Sequence, residues 1–162
     1  MSKISPCIWF DKDAEEAANF YVTLLPDSRI DRVMRSPADY PGGEAGAVLL
    51  VEFTVGGQSF QALNGGSRIE FNDALSLSML CEDQAEVDSV WRKILEGGGE
   101  AIQCGWIRDR WGVRWQIVPR GFIDLIASSD AEGAARAFNA LTDMVKLDLA
   151  KLQAAFDGKA AA

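Results

Sequence analysis

The residues best equipped for chemistry crowd into one stretch, Cys104 to Pro119, which holds three of the five tryptophans and three arginines. Guanidinium groups hold carboxylates and phosphates through a planar fork of donors, and tryptophans supply flat apolar walls. The combination suits a small ligand carrying an anionic group. Arg120 follows directly and joins Arg108, Arg110 and Arg114 in a local basic group. Acidic residues lie close by, so surface ion pairing or solvation explains the same arginines more simply, and anion binding stands as the alternative.

Nucleophilic and acid–base chemistry have little to work with. The chain contains no histidine, so neither a Cys-His nor a Ser-His pair can be built, and the commonest general base is missing. Cys7, Cys81 and Cys104 are an odd number without metal-type spacing, which gives no disulfide framework. Cys7 and Cys81 fall in runs that read as buried strands and are expected to act as small apolar residues, whereas Cys104 has the better case for a role. Gly97-Gly98-Gly99 resembles a phosphate loop only superficially. It follows a helical pattern, where a nucleotide cradle would follow a strand and open a helix.

These residues must be placed by elements, and the elements repeat. The phrase Gly57-Gln58-Ser59-Phe60-Gln61-Ala62-Leu63 matches Gly112-Val113-Arg114-Trp115-Gln116-Ile117-Val118. Asp13-x-x-Glu16 and Asp83-x-x-Glu86 each read as a helix start followed by apolar residues at helical spacing, and each is preceded by a strand-like run. The predicted strands are Ile4 to Phe10, Ser28 to Ser36, Ala47 to Val55, Gln58 to Leu63, Ala74 to Cys81 and Val113 to Val118. The predicted helices run from Asp13 to Leu25 and from Asp83 to Glu96, and Gly56-Gly57 predicts a two-residue hairpin turn. Alternation in the last strand puts Val113, Trp115 and Ile117 on one face and Arg114, Gln116 and Val118 on the other. The order strand, helix, three strands thus occurs twice, over residues 1–66 and 74–121. Residues 122–162 are expected to add two helices, one headed by Ser129-x-x-Glu132 and running to about Val145, the other from Asp148 to Phe156.

At 162 residues, 48% hydrophobic and 25% charged, the chain suits one soluble α+β domain or two half-domains sharing a core. A net charge of −8 argues against nucleic acid or an anionic membrane as partner. No apolar run reaches the length of a membrane span, and Met1-Ser2-Lys3 leads into the first strand without a signal-peptide core, so the cytoplasm is the expected location.

Several phrases together resemble a known family: Trp9-Phe10-Asp11, Asn19-Phe20-Tyr21, Leu63-Asn64-Gly65-Gly66, Cys104-Gly105-Trp106, Trp111-Gly112 and Trp115-Gln116-Ile117-Val118-Pro119, with a helical tail. The chain looks like the PhnB-like, demethylubiquinone methyltransferase-like proteins of the glyoxalase, bleomycin-resistance and extradiol-dioxygenase (vicinal oxygen chelate) superfamily. The resemblance implies paired βαβββ modules forming a half-barrel sheet, commonly in a homodimer. In the superfamily's metal enzymes one inward position on each of four strands carries a ligand, and the resemblance places these at Pro6, Gln61, Ser76 and Gln116. Proline, serine and neutral amides are poor ligands for a divalent ion. Glu52, Glu70 or Asp109 could each add one ligand, but their spacing gathers them at no single point. No metal and no cofactor are therefore expected.

Two functions fit this reading. One is an enzyme acting on a small metabolite without a metal: Gln61 and Gln116 orient a polar group, Arg114 meets an anionic one, Ser76 and Ser78 donate hydrogen bonds, and Phe10 and Trp106 form apolar walls. The other is a binding protein that sequesters or senses a small molecule with the same cleft; alternatively the two glutamines merely satisfy each other. The least supported reading is the methyltransferase of the family label, because no glycine run lies between a strand and a helix as an S-adenosylmethionine loop would.

Overall fold

A computed structural model describes residues 3–159. The chain divides into two compact units, one ending at Glu70 and the other beginning at Phe71.

Unit 1 contains β1 (Cys7–Phe10), α1 (Ala14–Tyr21), β2 (Arg29–Arg35), β3 (Val48–Val55) and β4 (Gln58–Asn64), in sheet order β1-β4-β3-β2. β1 runs parallel to β4, and the other pairs are antiparallel. α1 buries Ala14, Ala17, Ala18 and Tyr21, an i, i+3, i+4, i+7 stripe that faces the sheet. There Tyr21, Phe53 and Phe60 form a run of rings with centroids 6.0 and 5.5 Å apart. Gly56 and Gly57, with φ of 52° and 82°, make the hairpin turn that their sequence predicts.

The start of α1 is fixed from a distance. Asp13 makes no side-chain cap. Instead Asn64, the last residue of β4 and 5% exposed, accepts a hydrogen bond from the Ala14 N–H at 2.9 Å and donates one to the Val48 carbonyl at 2.9 Å. Asn64→Ala removes both partners from buried backbone groups, and we expect it to lower stability by about 2–3 kcal/mol in urea denaturation. A midpoint equal to wild type would show that Asn64 does not cap the helix.

Unit 2 repeats the plan with β5 (Leu77–Cys81), α2 (Gln84–Glu96), β6 (Glu100–Ala101), β7 (Trp106–Arg108) and β8 (Arg114–Pro119), in order β5-β8-β7-β6. α2 buries Val87, Val90, Trp91 and Ile94, the same spacing as α1. A close variant of its capping box forms: Asp83 accepts from the Glu86 N–H at 2.9 Å, while the Glu86 carboxylate reaches back one residue beyond the cap, to the Glu82 N–H at 2.7 Å.

Three helices follow where two were expected: α3 (Arg120–Ile126), α4 (Ala131–Thr142) and α5 (Leu149–Phe156). α3 begins directly after Pro119, a residue that reads as a stop but here supplies the extended position before the first helical turn. Phe122, Leu125, Ala137, Leu147 and Leu152 form a second core, against which Val118 of β8 packs. Two polar features tie this tail to the module. The Gln84 side chain bonds the Leu147 carbonyl and the Leu149 N–H at 3.0 and 2.8 Å. The backbone N–H groups of Cys104 and Gly105 donate to Met144 and Val145 at 2.7 and 2.8 Å.

Other boundaries differ from the sequence reading. α1 ends at Tyr21 rather than Leu25, because residues 22–25 turn to start the approach to β2. α4 is capped by Asp130, whose side chain accepts from Gly133 N–H at 3.0 Å, and not by Ser129. Among the described residues no helix is long and apolar enough to cross a membrane.

Candidate functional site

Each sheet has one face packed on α1 or α2 and an opposite face free of that helix, although in unit 2 the Val118 end of the opposite face packs on the tail helices. In unit 2, Trp115, Ile117 and Pro119 are buried on the helix side, and Arg114, Gln116 and Val118 alternate onto the other, as expected. The register sets Ser78 of β5 and Trp106 of β7 on either side of Gln116. Just before β5, the Ser76 hydroxyl accepts from Gln116 Nε2 at 2.7 Å. Five of the seven predicted site residues, Ser76, Ser78, Trp106, Arg114 and Gln116, thus share one face. Arg114 has a side chain only 14% exposed; its Nε lies 2.6 Å from Asp73 Oδ1 and its Nη1 donates to the Gly112 carbonyl at 2.8 Å.

The turn that joins β7 to β8 is built on Asp109, 3% exposed. Its Oδ1 accepts from the Trp111 and Val113 N–H groups, both at 3.0 Å, and its Oδ2 accepts from Trp115 Nε1 at 2.9 Å. A side chain that satisfies its own turn in this way fixes where Arg108 leaves the sheet and where Arg114 re-enters it. The expected ion pairs also form: Arg108 with Glu100 and Arg120 with Glu82, while Arg110 lies over the Trp111 ring with 4.2 Å to its centroid.

In unit 1 the register across the helix-free face reads Cys7, Gln61, Glu52, Arg32. Glu52 Oε2 accepts from Arg32 Nε at 2.9 Å, and Gln61 Nε2 lies 3.5 Å from Glu52 Oε1. The hydrogen bond from Arg32 holds the Glu52 carboxyl below its usual range, against the opposing pull of burial. Beside this row opens a cleft of about 460 Å³ whose walls include Ser5, Arg29, Asp31, Thr54, Ser59 and Gln61. Asp31 is held there by Arg29 at 2.7 Å and by the Thr54 hydroxyl at 2.6 Å. Each glutamine therefore has a partner in its own unit, Glu52 for Gln61 and Ser76 for Gln116.

Four readings are corrected. Phe10 is not a cleft wall: at 4% exposed it sits on the helix-packed face, beside Asn64 in the register. Cys7 is exposed, not buried, and it rather than Pro6 stands opposite Gln61. By the equivalent pairing, Ser78 rather than Ser76 stands opposite Gln116. Cys81 is buried as expected, and burial pushes its thiol up to about 12, so it remains protonated and unreactive.

The metal of the superfamily's enzymes finds a poor donor set in this register: the four positions supply one thiol, one hydroxyl and two neutral amides. Among the described residues no three His, Cys, Asp or Glu side chains are grouped to hold an ion. The S-adenosylmethionine of a methyltransferase fares no better. The turns from β1 to α1 and from β5 to α2 contain Asp11-Lys12-Asp13 and Glu82-Asp83, carboxylates without a glycine.

Among curated proteins nothing matches the chain. Among solved structures, a PhnB protein from Bacillus cereus, provisionally named a 3-demethylubiquinone-9 3-methyltransferase, is 32% identical with a TM-score of 0.65, over 73% of this chain and 99% of that one. Protein PA1353 from Pseudomonas aeruginosa is 18% identical with a TM-score of 0.61, over 74% and 98%. A glyoxalase/bleomycin resistance protein from Albidiferax ferrireducens T118 is 16% identical with a TM-score of 0.49, over 74% and 99%. The family described as 3-demethylubiquinone-9 3-methyltransferase matches residues 2–118. With its two βαβββ modules and this match across both of them, the chain belongs to that family, the PhnB-like proteins.

Proposed function

We propose that the protein binds a small polar metabolite on the sheet face of a module turned away from α1 or α2, without a divalent metal, and that binding rather than turnover is its main activity. The observation that carries this reading is the state of Glu52. Its carboxylate sits at the cleft of unit 1, where Arg32 stabilises the ionised form. A group held this way is a ready acceptor of hydrogen bonds but a weak base, because general acid–base work needs a pKa near the operating pH. The chain has no histidine to take that part. Gln61 supplies a neutral amide in unit 1; in unit 2 Ser76, Ser78 and Gln116 supply neutral donors and acceptors beside Arg114, a partly buried cation. Either set orients a ligand in its own unit without moving protons.

The enzyme reading keeps one supporting observation: Glu52 and Gln61 stand side by side as a carboxylate and an amide that could act on a bound substrate with an acidic C–H. We also propose a homodimer, supported by apolar side chains left in water, with Leu75 76% and Phe138 54% exposed. Native mass spectrometry of untagged protein, purified at low salt, tests all of this. We expect a dimer mass carrying a small organic molecule and no stoichiometric metal, with occupancy lost in whichever of Gln61→Ala and Gln116→Ala alters the module that holds it. Chemical change of that molecule over hours at catalytic protein concentration would favour the enzyme. A bare monomer, or a metal lost with the ligand on chelation, would overturn the proposal.

A further inference from the structure

The hairpin of unit 2 places two like charges directly opposite each other. Arg108 of β7 and Arg114 of β8 are register partners, on the face that also carries Trp106 and Gln116. Opposed like charges weaken a ladder, so this placement has to be offset by something. Each arginine does have a carboxylate, Glu100 for Arg108 and Asp73 for Arg114, but those side chains are 69% and 75% exposed. Ion pairs so far out in water contribute little. Arg114 is different. Its side chain is only 14% exposed and is aimed by the Gly112 carbonyl, while its Nη2, without a partner among the described residues, still reaches solvent.

We propose that Arg108 and Arg114 form a two-guanidinium clamp for the oxyanion group of a small molecule, a carboxylate or a phosphoryl group. Asp73 and Glu100 are surface counter-ions that the ligand displaces. The step is an exchange of one oxyanion for another and involves no covalent change. It is favourable because a ligand oxyanion spans both guanidiniums at once, whereas Asp73 and Glu100 each serve one. The next row of the same face, Trp106 and Gln116, lies where the rest of such a ligand would extend: an indole for its apolar part and an amide for a polar substituent. The Ser76 hydroxyl accepts from Gln116, which leaves its own proton to donate. The inference rests on the small-molecule reading above and names the ligand's class.

The test follows the arginine Nε–H signals of ¹⁵N-labelled protein, assigned with Arg108→Lys and Arg114→Lys. Benzoate and phenyl phosphate are the probes, and benzamide and matched sodium chloride are the controls. We expect the signals of both arginines to move together and to saturate with one of the two anions, the preferred one identifying carboxylate or phosphoryl chemistry. Benzamide and chloride should leave them in place. Asp73→Asn and Glu100→Gln, both at exposed side chains, should lower the saturating concentration by roughly three- to tenfold, since each removes a competitor. Arg114→Gln should abolish the response. A midpoint that stays put or rises in Asp73→Asn, or a chloride response equal to that of the anions, would overturn the clamp. If a co-purified molecule is bound while both arginine signals stay still on its removal, the clamp fails and the small-molecule reading survives. If no molecule binds and no signal moves, both fail.

Discussion

Asp109→Ala is expected to cost about 3–5 kcal/mol of stability, among the largest effects of any single substitution in unit 2. The side chain is 3% exposed and accepts three hydrogen bonds, from Trp111 N–H, Val113 N–H and Trp115 Nε1. Val113 and Trp115 are themselves buried, so truncation strands donors that water cannot easily reach. Asp109→Asn separates shape from chemistry. Its amide keeps the volume and one acceptor, but sets an NH2 group against at least one N–H, so it should fall between alanine and wild type. Urea denaturation read by near-ultraviolet circular dichroism, which reports on the packed aromatic side chains, Trp115 among them, measures both. An alanine variant within about 1 kcal/mol of wild type would mean that water reaches this turn and replaces the carboxyl group.

The second large effect is steric. Gly66 has φ of 78°, and a Cβ there would lie 2.1 Å from Gly42 Cα and 2.6 Å from the Pro41 carbonyl oxygen. These are backbone atoms that no rotamer change can move aside, so Gly66→Ala must separate the loop at residues 37–46 from the end of β4. We expect a loss of at least about 3 kcal/mol, or proteolytic opening of that loop in an otherwise folded protein. Gly57→Ala is the control. Gly57 has a similar φ of 82° but nothing within 4 Å of its added Cβ, so only the left-handed backbone penalty applies, about 1–2 kcal/mol. Equal losses at the two positions would remove the steric argument.

Much of this architecture was legible because the pattern repeats. The doubled Gly-to-apolar phrase set the equivalence of β4 and β8, and strict alternation in β8 separated Arg114 and Gln116 from Trp115 and Ile117. What failed depended on where short strands begin. β1 and β5 start at Cys7 and Leu77, later than the apolar runs suggested. A strand reverses its faces at every residue, so a shift of one moves the inward position from Pro6 to Cys7 and puts Phe10 on the core side. α3 went unread because Pro119-Arg120-Gly121 looks like a break. Only Phe122, Leu125 and Ile126, at helical spacing, signalled it. Asp13 was placed correctly as the residue before α1 but read as the head of a capping box that does not form; Asn64 meets the first N–H instead, and sequence spacing shows local caps but hides those made from 50 residues away. The Arg108–Arg114 pairing was hidden for the same reason, because it exists only once the hairpin register is known.

The cap from Asn64 also sets an order of events. α2 carries its own capping box, Asp83 with Glu86, and can begin to wind as soon as those residues are free to meet. α1 is eight residues long and has no side-chain cap of its own, too short to persist alone in water. The group that satisfies its first N–H is made last in its module, on a strand that must first pair with β1 and β3. Twin modules built on one plan therefore fold on different schedules: the second can start from a helix, while the first must wait for its sheet to close around a distant asparagine. On the ribosome, where residue 14 emerges well before residue 64, the earlier module has to hold an unfinished helix until its last strand arrives.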